Sequence, residues 1–426
     1  MKIAFLVEKF PTLSETFVLN QITELIQRGH EIDIYAMYAE QSDKVHPEVE
    51  LYHLLQHTFY QPSLPKHYIL RLLKGIGIFL SCFWKNIFTT LKTLNIFKYG
   101  RYAASLRLFY EAVPFLKNNS PKYDIVYCHF GYIGLKGFIL RQLGVIGGAL
   151  ITVFHGYDLS GYFLHTSEQV YRDIFQLGDL FLPISDHWKK RLIELGCPTQ
   201  KIMVHRMGIE DQKFRFNPRQ LQSNDSIHII TIARLVEKKG IEYGIRAIAQ
   251  LRKHQNNLRY TIVGDGLLKQ EFESLISDLN LGSMVTLAGW RQQNEVVELL
   301  QKSHILLAPS VTAKDGDKEG IPVALMEAMA TGLIVISTFH SGIPELIEDG
   351  QSGYLVPERN TELLADKINW VIEHQENWLT IQKSARQVIE QKYNNRVLND
   401  SLEAIFLQVL EGEDLEEARQ SIKVGV

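Results

Sequence analysis

Short apolar runs alternate with longer amphipathic stretches along most of the chain. Runs rich in β-branched residues and bounded by turn residues are typical of strands. In the first half they predict strands at Lys2–Val7, Glu31–Tyr38, Asp124–Phe130, Ala149–Phe154, Leu180–Ile184 and Lys201–Arg206. In the second half they predict strands at 227–233, 259–263, 285–289, 304–309, 333–338 and 353–356. Helices are predicted between them, at 14–28, 134–143, 240–254, 267–279, 294–302, 322–330 and 360–373. This order of elements predicts an α/β fold with two parallel, doubly wound sheets.

The pattern breaks once near the middle of the chain. Between Gly208 and Ser226 an Asn217-Pro218 step and the polar run from Gln220 interrupt the alternation. A chain of 426 residues is long enough for two domains with separate cores. We therefore predict an N-terminal domain at residues 1–212 and a C-terminal domain at 213–389.

Two glutamates flank a Gly-Ile-Pro turn after a predicted strand of the second half. The segment reads Glu319-Gly320-Ile321-Pro322-Val323-Ala324-Leu325-Met326-Glu327, and Pro322 suits the first position of a helix. Free N–H groups at a helix N-terminus can bind a diphosphate, and carboxylates beside them can bind sugar hydroxyls. Taken alone, the segment is equally typical of an ordinary acidic loop before an exposed helix.

A second cluster of candidate residues lies upstream, where Arg234 follows a β-rich run and Lys239 precedes Gly240. Two cations at the carboxyl end of a strand can neutralise a leaving diphosphate. Further on, Val263-Gly264-Asp265-Gly266 leads from another strand into a turn. The dinucleotide fingerprint fails there because position 269 is lysine, and an isolated Gly-x-Gly carries little information.

These three elements, in this order, resemble the C-terminal half of the retaining GT-B glycosyltransferases of family 4. The resemblance is close over residues 227–375, although Pro322 stands where many members have glycine. It implies two Rossmann-like domains that face a cleft, with a final helix at about 390–426 returning to the first domain. It also implies that Glu327 binds the ribose of a nucleoside-diphosphate sugar and Glu319 the sugar. The diphosphate would lie against Arg234, Lys239 and the turn from Gly320 to Ile321, with the Val323 amide nearby, and the base against Trp290 and Arg291. Gly264, Gly266 and Pro322 would also belong to the donor site.

The N-terminal half is expected to supply the opposite wall of the cleft. His155 ends a β-branched run, as part of His155-Gly156-Tyr157-Asp158, and a histidine in a similar setting contacts the donor sugar in related enzymes. The alternative is a buried histidine, with Asp158 capping the next helix. Near the start, Pro11-Thr12-Leu13-Ser14-Glu15-Thr16 resembles enzymes that build colanic-acid-like exopolysaccharides. Ser14 suits a helix N-cap, and we assign Ser14, Glu15, Thr16 and Asp158 to an acceptor or phosphate loop.

The charge and the composition of the chain indicate which partners it binds and in which cellular compartment it is found. The net charge of −3 argues against a nucleic-acid binder. Three widely spaced cysteines, and no apolar leader in the first ten residues, predict a cytoplasmic protein. Asp315 and Asp317 invite a divalent metal, but the cations already named supply the same positive field. We therefore expect no metal and no cofactor.

One segment is strongly basic. Residues 51–110 contain no Asp or Glu, yet hold eight of the 45 basic residues, which leaves 37 basic against 48 acidic residues elsewhere. Apolar residues are interleaved with these cations, and the longest uncharged run within 64–107, residues 75–84, is too short to span a bilayer. We predict a basic amphipathic helix at 64–107 that binds the anionic inner face of the plasma membrane. The alternative is that these helices pack on the sheet and their cations face water.

The predicted activity is transfer of a hexosyl group from a nucleoside-diphosphate sugar to a surface polysaccharide or lipid-linked saccharide, with retention of configuration. A non-catalytic nucleotide-sugar-binding scaffold is the alternative. The donor sugar, the base, the acceptor and the linkage are not readable from the sequence.

Overall fold

The computed structural model describes residues 1–12, 15–40, 45–83, 87–118, 120–221, 226–252, 255 and 257–412. Within this part of the chain, twelve strands form two six-stranded parallel sheets. The strands are β1 Lys2–Lys9, β2 Glu31–Tyr38, β3 Thr58–Tyr60, β4 Lys122–His129, β5 Gly147–Phe154, β6 Leu180–Pro183, β7 Ile227–Ile232, β8 Leu258–Val263, β9 Val285–Gly289, β10 Ile305–Ala308, β11 Ile334–Thr338 and β12 Tyr354–Val356.

Helices fill most of the connections between strands. They are α1 Thr16–Gln27, α2 Pro47–Leu51, α3 Tyr68–Phe83, α4 Ile87–Lys92, α5 Ile96–Ala104, α6 Arg107–Lys117, α7 Gly131–Leu143, α8 Arg172–Leu177, α9 Asp186–Glu194, α10 Ile241–Leu251, α11 Lys269–Asp278, α12 Gln293–Lys302, α13 Val323–Thr331, α14 Ile343–Leu346, α15 Thr361–Glu373, α16 Trp378–Lys392 and α17 Asn395–Glu411.

The strand order is β3-β2-β1-β4-β5-β6 in the first sheet and β12-β11-β10-β7-β8-β9 in the second. In each sheet the strand that comes first in the sequence, β1 or β7, lies near the middle. The next two strands follow on one side of it and the last three on the other, which is the arrangement of a doubly wound sheet. The central strands are apolar on both faces because helices cover both sides; Ile3, Ala4 and Phe5 of β1, for example, are fully buried. The predicted pair of parallel, doubly wound sheets is confirmed.

The carboxyl ends of the two sheets face each other. Gly320, in the loop after β10, lies so close to the end of β5 that an added Cβ would be 2.7 Å from the His155 carbonyl oxygen. On another side, α17 returns to the first sheet, where Phe406 packs edge-on against Tyr127 of β4 and Glu403 pairs with Arg28 at 3.2 Å. The loops at both carboxyl edges therefore enclose one cleft.

In the first half, one predicted strand was wrong and one strand was missed. Lys201–Arg206 is not a strand: Met203 and His205 donate backbone N–H groups to β6, but only Ile202 forms a β-bridge with it. Strand β3 was missed because it has only three residues, at the edge of the sheet. The predicted cap at Ser14 lies outside the described residues, and Glu15 is the N-cap of α1.

The basic segment forms three helices, α3, α4 and α5, rather than one. Among the described residues, no helix combines the length and the apolar character that crossing a bilayer would require.

Candidate active site

The loop after β7 places Arg234 at the rim of the cleft. Arg234 is exposed, and it faces Glu15 of the N-terminal domain across the cleft. Burial raises the pKa of Glu15, and the charge of Arg234 only partly opposes that rise. The backbone of this loop packs against the two predicted glycines, Gly264 and Gly266. A Cβ added to Gly264 would lie 1.9 Å from the Ala233 carbonyl oxygen, and one added to Gly266 would lie 2.6 Å from the Leu235 carbonyl oxygen. These glycines therefore position the Arg234 loop through close backbone packing.

Lys239, which was predicted to bind the diphosphate, has an acidic partner in this structure. Its ammonium pairs with the Glu319 carboxylate at 2.9 Å, and Lys238 pairs with Asp317 at 3.0 Å. Burial alone would raise the pKa of Glu319, but the two lysines outweigh it and hold the pKa at about 2. Glu319 is therefore a carboxylate at neutral pH, in a network that leaves one oxygen without a hydrogen-bond partner.

Among the described residues, no group of three or more His, Cys, Asp or Glu side chains could hold a metal ion. Asp317, one of the two aspartates considered for that role, is the partner of Lys238.

The turn from Gly320 to Val323 leads into α13. Pro322 is the N-cap of this helix rather than its first residue, so the helix begins one residue later than predicted. No side chain caps the first turn. The first N–H groups of a helix have no partner within it, so those of Val323 and Ala324 remain for a ligand. No acidic side chain lies in that turn, so the positive end of the helix dipole is not compensated there.

Glu327 lies further along α13 and is 9% exposed. Its carboxylate accepts a hydrogen bond from the Gln293 amide at 3.0 Å. Burial raises the pKa of Glu327 to about 7, and the Gln293 hydrogen bond opposes that shift. Glu319, before the turn, thus has a lowered pKa, whereas Glu327, beyond the turn, has a raised pKa.

A cavity of about 480 Å³ opens between the two domains at the Glu327 end of the turn. Trp290, Val323 and Glu327 line it from the C-terminal domain, and Thr16 and Phe17 line it from α1. Arg291 is not part of this lining; its guanidinium binds the Trp290 carbonyl at 3.1 Å. The cavity is large enough for a small polar ligand that contacts both domains.

His155 directly follows the carboxyl end of β5, where it was predicted. Its ring lies 4.4 Å from that of Phe130 and 4.9 Å from that of Phe17, centroid to centroid. Its Nε2 lies 3.1 Å from Nδ1 of His129, which ends the neighbouring strand β4. Burial lowers the pKa of His155 to about 3, so its imidazole is neutral at physiological pH. His155 can hydrogen-bond to a ligand but cannot supply a positive charge.

The remaining residues of the predicted acceptor or phosphate loop have separate environments. The Asp158 carboxylate is fully buried and accepts backbone hydrogen bonds from Gly131, His155 and Gly156 at 2.8–3.0 Å, so it fixes the loop behind the cleft. Thr16 faces the interdomain cavity. Glu15 faces Arg234, and burial together with the charge of Glu8 raises its pKa to about 7.

Several supporting residues were missed by the sequence interpretation. His340, buried in the loop after β11, accepts the Glu319 backbone N–H at 3.0 Å and bonds Glu358 at 2.6 Å. His129 and Gln293 were also missed. Of these, only His129 had a readable signal, because it lies near the carboxyl end of one predicted strand just as His155 lies directly after another.

Comparisons with known proteins were made for the whole chain. The family model described as "Glycosyl transferases group 1" matches residues 213–394, and the one described as "Glycosyltransferase Family 4" matches residues 14–213. The colanic acid biosynthesis glycosyltransferase WcaL of Escherichia coli (strain K12), whose own assignment is provisional, is 39% identical over 96% of this chain and 100% of that protein. The amylovoran biosynthesis glycosyltransferase AmsK of Erwinia amylovora is 38% identical over 95% of this chain and 99% of its own length.

Solved structures share the fold. Anabaena HepE in complex with UDP and glucose aligns with a TM-score of 0.67 at 20% identity, over 96% of this chain and 100% of that one. Sucrose-phosphate synthase of Thermosynechococcus elongatus aligns with a TM-score of 0.69 at 17% identity, over 97% and 100%. Together with the family matches, the paired sheets and the cleft between them, these comparisons establish that the chain belongs to the family 4 glycosyltransferases and has the GT-B fold.

Proposed function

We propose that the protein transfers a hexosyl group from a nucleoside-diphosphate sugar to a saccharide acceptor in exopolysaccharide synthesis, either a growing polysaccharide or a lipid-linked precursor. The observation that carries this proposal is the order of groups along the cleft. The Lys239–Glu319 pair lies just before the uncapped start of α13, and Val323 and Glu327 of that helix line the interdomain cavity. The relatives are named for colanic acid and amylovoran synthesis, which supports an exopolysaccharide product.

In this proposal each group has one task. Glu327 accepts hydrogen bonds from the ribose hydroxyls, and the base lies in the cavity against Trp290. Arg234 and the N–H groups of Val323 and Ala324 bind the diphosphate. Glu319 orients the sugar hydroxyls and also holds Lys239 in place. HepE is described in complex with UDP and glucose, which supports a nucleotide-sugar donor.

Breaking the glycosyl–phosphate bond leaves negative charge on the diphosphate and positive character on the sugar ring. Arg234, Lys239 and the dipole of α13 stabilise the first, so no metal is required. The acceptor hydroxyl attacks the anomeric carbon from the face that the diphosphate leaves and gives its proton to the departing diphosphate, so the new glycosidic bond has retained configuration. Neutral His155 can hydrogen-bond to the sugar without opposing the positive charge that develops on its ring.

Donor binding is tested by calorimetry with UDP, GDP and ADP and their hexose derivatives. One nucleotide should bind tightly to the wild-type protein in EDTA, and Glu327→Ala should weaken that binding. Absence of binding by all of them would refute the donor site. A requirement for Mg²⁺ or Mn²⁺ would instead restore the Asp315 and Asp317 metal hypothesis.

We also propose that the enzyme binds the cytoplasmic face of the plasma membrane through α3, α4 and α5. One side of α3 packs on α6, where the Tyr110 hydroxyl donates to the Arg71 carbonyl at 2.7 Å. The opposite side carries Ile69, Leu73, Ile76 and Leu80, which are 50–73% exposed and recur at helical spacing. In α4 and α5, Phe88 and Phe97 are 79% and 98% exposed. The alternative in which only cations face water does not account for these exposed side chains.

The cations of this surface suit an anionic bilayer. Lys66, Lys92, Lys98 and Arg101 are exposed, whereas Arg71 and Lys74 are bound to carbonyl groups of the protein. No acidic residue lies between positions 51 and 110 to oppose them. Each exposed cation near an anionic surface contributes on the order of 1 kcal/mol, and the apolar side chains can enter the acyl boundary.

Vesicle sedimentation tests this docking. The protein should bind phosphatidylglycerol-containing vesicles more than pure phosphatidylcholine vesicles, and high salt should reduce the difference. Leu73→Ser combined with Ile76→Ser should weaken binding, whereas Leu267→Ser, at a 92% exposed position in the other domain, should not. Binding that ignores lipid charge, salt and the α3 substitutions would contradict membrane docking.

A further inference from the structure

A row of aromatic rings extends from His155 along the side of the cleft that the N-terminal domain forms. Phe130 lies 4.4 Å from His155, and Tyr132 stacks on Phe130 at 5.6 Å with an angle of 17° between the rings. Tyr162 follows at 5.4 Å from Tyr132, and Tyr157 lies 6.4 Å from Tyr162. Tyr132 and Tyr162 are half-buried, and Tyr157 is 38% exposed, so the outer rings can be reached from solvent.

A carboxylate accompanies these rings. Glu8, near the end of β1, accepts hydrogen bonds from the hydroxyls of Tyr132 and Tyr38, each at 2.5 Å. The two phenols hold the carboxylate in one orientation. An ionised carboxylate has about four acceptor positions, so Glu8 keeps capacity for further donors.

The backbone at Phe130 is held in an unusual conformation. Its φ is +75°, a value that non-glycine residues rarely adopt because it is sterically strained. The surroundings fix it: the Phe130 N–H donates to the Val153 carbonyl at 2.9 Å, and the next N–H, from Gly131, donates to Asp158 at 2.8 Å. Strained backbone positions of this kind cluster at active sites and ligand-binding sites.

The rings lie beside the proposed sugar end of the donor site. Ser160, between Tyr157 and Tyr162, accepts the Lys318 N–H at 3.3 Å, and a Cβ on Gly161 would lie 3.1 Å from Cβ of Asp317. The loop that carries the outer rings therefore abuts the segment that ends in Glu319. A molecule bound on the rings would reach the donor sugar without crossing the nucleotide cavity.

We propose that the rings of Phe130, Tyr132, Tyr162 and Tyr157, with the Glu8 carboxylate, form the subsite that binds the sugar unit of the acceptor. This inference rests on the proposed function. A pyranose presents an apolar C–H face and a rim of hydroxyl donors. Aromatic rings provide a flat apolar surface for the first, and an oriented carboxylate accepts from the second. The subsite is therefore suited to a neutral sugar rather than to a phosphate, which the charge of Glu8 would repel.

The test is saturation-transfer NMR on the full-length protein with methyl glycosides of glucose, galactose, mannose and fucose. At least one should bind, with the strongest transfer to the C–H protons of one ring face. Tyr162→Leu should weaken that binding about fivefold, the effect of losing one aromatic contact. Glu8→Gln, which keeps the shape but removes the charge, should weaken it about tenfold. Trp370→Leu, at an aromatic position that is 37% exposed on α15, is the matched control and should have no effect.

Nucleoside diphosphate affinity, measured by calorimetry on the same samples, separates this inference from the proposed function. It should be unchanged in Tyr162→Leu and Glu8→Gln. Wild-type protein that binds a nucleotide but none of the glycosides, or glycoside binding indifferent to both substitutions, would overturn the acceptor subsite alone. Failure to bind any nucleotide would refute the donor site instead.

Discussion

Glu319 and Glu327, eight positions apart, have opposite electrostatic environments. Two lysines hold the pKa of Glu319 at about 2, whereas burial raises that of Glu327 to about 7. The difference matches the proposed tasks. A permanently charged group can act on the reacting sugar, whereas the Glu327 carboxylate becomes well placed once ribose hydroxyls donate to it.

We expect Glu327→Ala to raise the donor KM and the Kd of the free nucleoside diphosphate. Glu319→Ala should instead lower kcat and change nucleotide affinity little, because its contact is assigned to the transition state. Steady-state kinetics and calorimetry on both variants measure the two effects. The reverse pattern would contradict the assignment.

Glu327 should also make stability depend on pH. Its pKa in the folded protein is about 7, above the ordinary value of 4.5, so its contribution is fully present below that ordinary value and is lost as pH rises through about 7. Glu327→Gln should therefore raise the free energy of unfolding at alkaline pH by about 1–3 kcal/mol and have little effect in acid. Urea titrations compare it with Glu273→Gln, an exposed position on α11. Equal effects in acid and alkali would exclude a buried, protonated Glu327.

Arg234→Ala and Lys239→Ala should each lower turnover by about tenfold to a thousandfold, as expected for loss of one group that stabilises the leaving diphosphate. Lys239→Ala also removes a partner of Glu319, so it should lower thermal stability more than Arg234→Ala does. Arg246→Ala, on an exposed surface of α10, is the control. Near-normal kcat in both variants with intact circular dichroism would remove the diphosphate assignment.

The loop between β8 and α11 shows how a backbone contact can position a charge. Gly264 has φ +138°, and an added Cβ would lie 1.9 Å from the Ala233 oxygen, next to Arg234. Gly264→Ala should therefore displace the Arg234 loop, lowering stability by about 2–4 kcal/mol and reducing turnover. Gly282→Ala, where a Cβ meets nothing within 4 Å, should change stability by less than about 0.5 kcal/mol. Thermal melts of both variants measure these changes in stability. Equal losses of stability in Gly264→Ala and Gly282→Ala would show that the close contact at Gly264 is unimportant.

Strands and helices with strong periodicity could be predicted from the sequence to within a few residues. β2 and β9 have the predicted ends, because turn residues bound each apolar run. Lys201–Arg206 failed because an extended, β-branched segment can lie beside a strand without completing a ladder with it. The ion pair between Lys239 and Glu319 could not be predicted, because the two residues are 80 positions apart and meet only through the fold.

The two domains are held together at specific points around the cleft. Glu345 of α14 accepts the backbone N–H groups of Asp186 and His187 at the start of α9, at 2.9 and 2.8 Å, and pairs with Arg206 at 3.1 Å. The interdomain cavity lies between Thr16 of the first domain and Glu327 of the second. Groups from both domains therefore border the cleft, so a ligand bound there would contact both of them.

The most direct test is transfer itself. Wild-type protein, the nucleotide-sugar that binds in calorimetry, and a bacterial membrane lipid extract are incubated in EDTA, and hexosylated saccharide is sought by mass spectrometry. We predict a new hexosylated product with the wild-type protein and little or none with Arg234→Ala. Tight nucleotide-sugar binding with no product, using either the lipid extract or isolated polysaccharide, would contradict catalysis and favour the non-catalytic scaffold.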